Sequence, residues 1–174
     1  GSHNPLKDQN TLIEALDILN KKNFKFIAVF VGLNLDYDNN DLVTKIKETQ
    51  LSSCIRLLGI RDDIPAVMNG IDLFVLSSIS EAFPNVLNEA MACGTPCITT
   101  NVGDASLIVK NTGWIVPSKD PRSIANAVID AETEFRSRNP LWLIRQDKCH
   151  KRINENFNIQ KMTEKYKKLW SNHS

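Results

Sequence analysis

Two glutamates, Glu81 and Glu89, stand in the segment Ser77 to Pro96, which follows the wholly apolar run Leu73-Phe74-Val75-Leu76. At about 100° of turn per residue, Val86, Leu87, Ala90 and Met91 share one arc of a helix, while Asn88 and Glu89 fall outside it. The spacing therefore predicts a short helix from near Asn85 with Glu89 on its polar side. Free N–H groups and the positive end of the dipole make such a helix start a seat for phosphate. A carboxylate one turn inside it can accept two hydrogen bonds from a vicinal diol, so Glu89 suits a ribose. Glu81 lies on the preceding loop and is expected to be free to meet another part of the same ligand. Acidic residues favour the first turn of any helix, so the pair alone says little. Its context says more: an apolar strand leads in, and Gly94 with Pro96 ends the helix.

The elements around this segment alternate. Leu12, Ile13, Leu16 and Leu19 recur at helical spacing behind Asp8 and Asn10, either of which can cap a helix over about 9–22. A buried strand is expected over 24–33, a helix over 40–50, a short strand over 54–58 and a helix over 63–70 with Pro65 in its first turn. Strands follow at 73–76, 96–100 and 114–116, with helices over 86–93 and from Asp120-Pro121 to about 136. Continuous apolar character without polar alternation marks 73–76 as a strand covered on both faces. The fold class is α/β: a Rossmann-like, doubly wound, mostly parallel sheet with helices on both faces, whose ligands sit beyond the carboxyl ends of the strands.

Composition removes several classes of function. With 174 residues, 42% hydrophobic and 24% charged, the chain is a single folded domain rather than a disordered or disulfide-built one. Its formal net charge of +1 gives no broad attraction for a phosphate backbone, so no nucleic-acid partner is expected. The longest apolar run, 26–33, is far short of a bilayer span. Cys54, Cys93, Cys97 and Cys149 contain no Cys-x-x-Cys pair and read as plain thiols of a reducing, cytoplasmic compartment. No metal site is expected: Asp62-Asp63 and Asp36-Tyr37-Asp38 read as caps and turns. Between Arg145 and Lys168, eight Lys and Arg face three Asp and Glu. Asn158 is the expected N-cap of a final helix with Phe157 and Met162 as its staple, and Ile159, Met162, Tyr166, Leu169 and Trp170 form its apolar stripe. The basic excess reads as a solvated face, with peripheral contact to the anionic inner face of a membrane as the alternative. Gly1-Ser2-His3 reads as a tag remnant ahead of a domain over 4–174.

Glu81-Ala82-Phe83-Pro84-Asn85-Val86-Leu87-Asn88-Glu89, continuing to Pro96, resembles the Glu-x7-Glu signature of the retaining, nucleotide-sugar-dependent GT-B glycosyltransferases of family 4. The resemblance extends through Leu57-Leu58-Gly59, Ala66 to Ser77, Thr100 to Asp104 and Gly113 to Pro117, almost the whole chain. It implies the carboxyl-terminal, donor-binding half of a GT-B fold, whose amino-terminal acceptor-binding half would be a partner domain of the same protein.

What the resemblance implies for the site goes residue by residue. Glu89 would hold the donor ribose and Glu81 would lie beside the donor sugar. The backbone around Phe83, Pro84, Asn85 and Val86 would meet the sugar and diphosphate, and Lys7 would neutralise the diphosphate. Gly59-Ile60-Arg61 would seat the base through backbone contacts. Ser2 stands where the family carries an arginine, and Leu107 where many members carry a glutamate. The implied reaction moves a sugar from a nucleoside diphosphate to an acceptor hydroxyl with retention, in cell-surface polysaccharide or glycolipid synthesis, without metal or other cofactor, and the isolated half would be inactive. Two alternatives stand beside it: a nucleotide-sugar epimerase, for which the extra acid and base residues are not found, and a nucleotide-binding or scaffolding module without turnover.

Overall fold

The computed structural model describes residues 1–137 and 140–171, apart from the side chains at 162, 165, 166 and 169. A short 3-10 turn, Pro5–Lys7, leads into α1 (Gln9–Lys21). There follow β1 (Ala28–Val31), α2 (Asn40–Glu48), β2 (Ile55–Gly59), α3 (Ile64–Asn69), β3 (Phe74–Leu76), α4 (Asn85–Ala92), β4 (Cys97–Thr100), α5 (Ala105–Val109), β5 (Trp114–Val116), α6 (Pro121–Arg136), α7 (Leu141–Asn156) and α8 (Ile159–Ser171). Side chains fix several helix starts. The Asp8 carboxylate accepts from the Thr11 amide at 3.2 Å, and Asp120 accepts from the Ser123 amide at 3.0 Å. Asn158 caps α8 by accepting from the Lys161 amide at 2.8 Å, as its sequence position implies. The rest of the expected stripe on α8, with the staple partner Met162, lies largely outside the described residues.

Among the described residues every strand pairing is parallel, as the alternation of elements requires, but the strands form two ladders rather than one. β1 pairs with β2, while β4 lies between β3 and β5. The first residues run between the two ladders and bond to the segments that follow β1 and β3. The His3 amide donates to the Leu33 carbonyl at 2.8 Å on one side, and the Ile79 amide donates to the Leu6 carbonyl at 2.8 Å on the other.

Helices cover both faces, and β4 shows how. Its four residues are all buried; Ile98 joins a core built with α1, α2, α6 and β2, whereas its neighbour Cys97 joins a second core with α3, α4, α5 and α7. That alternation follows from successive side chains of a strand pointing to opposite faces. Burial pushes the thiols of Cys97 and Cys149 up, which keeps them protonated and unreactive.

Two sequence expectations need correction. The segment 24–33 is not one long buried strand: only 28–31 is strand and only Phe30 within it is buried, with Ile27 60% and Leu33 54% exposed. Phe24 and Phe26 do pack on the first core, but from outside the ladder. Likewise β3 is not sealed on both faces: Phe74 and Val75 are only half-buried, and all three of its residues line a cleft between the ladders. In both cases a continuous apolar run reports burial somewhere in the fold, not membership of a fully covered strand. The five-residue α5 and the sixteen-residue α7 are elements the periodicity did not mark.

Candidate functional site

The loop after β3 and the helix that follows it hold the residues singled out from sequence. Leu87, Ala90 and Met91 of α4 are fully buried in the second core, and Glu89 is exposed on the opposite side, as the helical phase requires. No side chain caps α4, because Pro84 occupies the N-cap position, so its leading amides stay open to a ligand. Asn88 is half-buried with its Oδ1 unpartnered. Lys7, Ser77, Ser78, Val86 and Glu89 line one cleft of about 240 Å³ at the carboxyl end of β3. That is the crevice where a doubly wound sheet receives its ligands.

Glu81 is not free, contrary to its loop position. Its Oε1 accepts from Lys7 Nζ at 2.6 Å and from Ser78 Oγ at 2.6 Å, and its side chain is only 10% exposed. The reason is tertiary: Ser77 Oγ donates to the Lys7 carbonyl at 2.9 Å, which fixes the loop that carries Lys7 against the one that carries Glu81. The two charges offset one another in a half-buried setting where water screens them less than at the surface.

Backbone contacts that the sequence did not flag hold the Glu81 loop in place. Thr100 Oγ1 donates to the Ser78 carbonyl at 2.6 Å, and the Asp104 amide donates to the Ala82 carbonyl at 3.0 Å. Gly103 passes so close that a Cβ built on it would lie 2.0 Å from the Glu81 carbonyl oxygen, and its φ of +49° is one that side chains rarely adopt. The Gly-Asp pair at the end of β4 was a sequence signal for this role, since a glycine there reads as close backbone approach.

Phe83, Pro84 and Asn85 sit at the turn into α4, with Pro84 buried and the Phe83 ring 41% exposed. Gly59 ends β2, Ile60 and Arg61 follow it, and none of them lines the cleft that holds Lys7 and Glu89. Gly59 bonds within the turns around it, donating to the Leu35 carbonyl at 2.9 Å and accepting from the Gly32 amide at 2.7 Å. Ile60 is 68% exposed. The Arg61 guanidinium is gripped at both ends by Asp63, through Nε at 2.7 Å and Nη2 at 2.6 Å. That double hydrogen bond holds the Asp63 carboxyl below its ordinary range. Asp63 therefore does not cap α3 as its position before Pro65 suggested. Among the described residues no three His, Cys, Asp or Glu side chains are grouped as a metal would need. Nor is any described helix long and apolar enough to cross a membrane.

Residues 1–133 match the family described as glycosyl transferases group 1. Over 169 residues the chain is 31% identical to the UDP-Gal:alpha-D-GlcNAc-diphosphoundecaprenol alpha-1,3-galactosyltransferase of Escherichia coli, covering 95% of this chain and 42% of that one. A glycosyltransferase of Rickettsia africae superposes with a TM-score of 0.89 at 23% identity, over 99% of this chain and 46% of its own. The UDP complex of Anabaena HepE superposes with a TM-score of 0.81 at 25% identity, over 99% of this chain and 47% of its own. The chain thus spans less than half the length of these relatives. The shared architecture is the Rossmann-like half of a GT-B fold, as the sequence resemblance implied.

Proposed function

The chain belongs to the group 1 glycosyltransferases, and from that premise we propose that it is the donor-binding half of a retaining enzyme that moves a sugar from a nucleoside diphosphate to an acceptor hydroxyl. The observation that carries the reading is the shared cleft: an uncapped helix start, a lysine and a helix-borne carboxylate line one crevice at the carboxyl end of the sheet. Each part has one task. Glu89 accepts from the ribose hydroxyls. The amides at the start of α4 and the Lys7 ammonium hold the diphosphate, whose negative charge grows as the bond to the sugar breaks. Glu81 lies beside the sugar once Lys7 has exchanged its carboxylate for a phosphate oxygen. Charge neutralisation by Lys7 and the helix start serves in place of a metal ion. Of Gly59, Ile60 and Arg61, the last two offer backbone to the base at the edge of this region, while Gly59, whose amide and carbonyl are engaged by Leu35 and Gly32, shapes the turn that presents them.

Transfer also needs an acceptor held close to the anomeric carbon. That task falls to an amino-terminal domain of the same protein, and this chain alone is inactive. UDP as the nucleotide is supported by the complex of HepE, and surface-polysaccharide or glycolipid synthesis by the lipid diphosphate named for the Escherichia coli relative. A second reading, a nucleotide-binding module without turnover, draws on the Lys7–Glu81 pair, in which the two residues satisfy each other.

Calorimetric titration with UDP, with and without EDTA, tests the proposal. Binding that survives the chelator is expected, declining with ionic strength as a contact led by charge should. Failure to bind UDP overturns the donor reading. Sugar transfer by the chain alone overturns the division of labour between halves.

A further inference from the structure

We infer that Phe157, at the end of α7, is a positioning residue for the donor-site loop, an assignment that rests on the donor reading above. Arg152 and Phe157 lie outside the 1–133 stretch that matches the family, and the sequence offered Phe157 only as a staple for α8. In the structure its ring packs against Phe83, with 5.9 Å between centroids and 51° between planes, within the range for a favourable aromatic pair. The Arg152 guanidinium sits 5.6 Å from the Phe157 centroid, a cation over an aromatic ring. Arg152 is itself tethered: Nε donates to the Ile108 carbonyl at 2.5 Å and Nη2 donates to the Leu107 carbonyl. Those carbonyls close α5, whose last turn leaves acceptors without partners inside the helix.

A column thus runs from the end of α5 through the Arg152 guanidinium and the Phe157 ring to Phe83. Phe83 stands two residues after Glu81 and two before the first residue of α4 in sequence order. On its other flank the loop is held by Gly103, Asp104 and Thr100. Without Phe157, the 83–85 turn has its aromatic ring, already 41% exposed, with no aromatic partner among the described residues. A preformed loop binds more tightly because the cost of ordering it has been met in folding. The part of the donor that depends on this turn is the diphosphate-sugar end, since the ribose is taken by Glu89 from within the helix.

The test combines two readouts on the whole chain with Phe157→Ala and Phe157→Tyr. Amide hydrogen exchange without ligand should quicken about tenfold or more in Phe157→Ala at Leu87 and Asp104, whose amides donate to the Pro84 and Ala82 carbonyls of this loop, stay unchanged at Ile98 and Thr99 of β4, and return to wild-type rates in Phe157→Tyr. Affinity for UDP-glucose should fall about five- to tenfold in Phe157→Ala, while that for UMP, which lacks the β-phosphate and sugar, holds within about twofold. Unchanged exchange at Leu87 and Asp104 overturns the assignment. So does a rise that extends equally to β4, or an equal loss for both nucleotides, because each marks a general loss of stability. If the wild-type chain binds neither nucleotide, the donor reading falls, and the exchange readout alone then decides whether Phe157 positions the turn.

Discussion

Glu81 and Glu89 belong to one signature yet live in opposite surroundings. Glu89 projects from a helix whose far side is fully buried; it is exposed, and among the described residues no hydrogen bond or ion pair engages its carboxylate. Glu81 is nearly enclosed, held by Lys7 and Ser78, on a loop pressed against the backbone of Gly103. Secondary structure alone aims the first carboxylate, whereas several distant segments must assemble to hold the second. A ligand meeting Glu89 finds a carboxylate ready to accept; one meeting Glu81 has to displace an ammonium first.

The largest effect expected from this contrast comes from neither glutamate. Gly103→Ala would drive a methyl group into the Glu81 carbonyl from a backbone conformation that disfavours side chains. It should destabilise the chain by on the order of 2–3 kcal/mol in denaturant unfolding and weaken UDP binding as the loop shifts. Wild-type stability in this variant would show that the loop is not held as described. Next is Glu89→Gln, which should weaken UDP binding by about 1.5–3 kcal/mol in calorimetry while leaving the thermal midpoint nearly unchanged, since an exposed helix residue loses only its ligand. An unaltered affinity would remove the ribose role.

The smallest effect carries the most pointed sign. Glu81→Gln releases Lys7 from its partner at 2.6 Å, so affinity for UDP lacking a sugar should rise, by roughly two- to fivefold, rather than fall. The comparison between the two glutamates breaks if both variants lose UDP affinity equally, because Glu81 would then be a nucleotide ligand of the same kind as Glu89.

Much of this was legible in the chain. The phase of Val86, Leu87, Ala90 and Met91 placed Glu89 correctly on the polar side of α4, and Asp8, Asp120 and Asn158 marked helix starts through contacts only three residues long. Such signals are local: a helical turn fits within four residues, so their spacing is written directly in the sequence. Apolar runs were weaker guides. The run around Phe30 and the run at 73–76 both pack, yet neither becomes the fully covered strand it resembled, since a run does not state which neighbours cover it.

The sequence by itself therefore determined the alternation of strand and helix, the parallel pairing that alternation demands, and the direction in which Glu89 points. Only the tertiary structure decided that Lys7 reaches Glu81 across 74 residues, that Gly103 closes on the Glu81 carbonyl, and that Phe157 meets Phe83 rather than serving only its own helix. Those contacts join segments brought together by successive crossovers of the sheet. No periodicity within one element encodes a meeting between residues whose separation is set by the packing of all the elements between them.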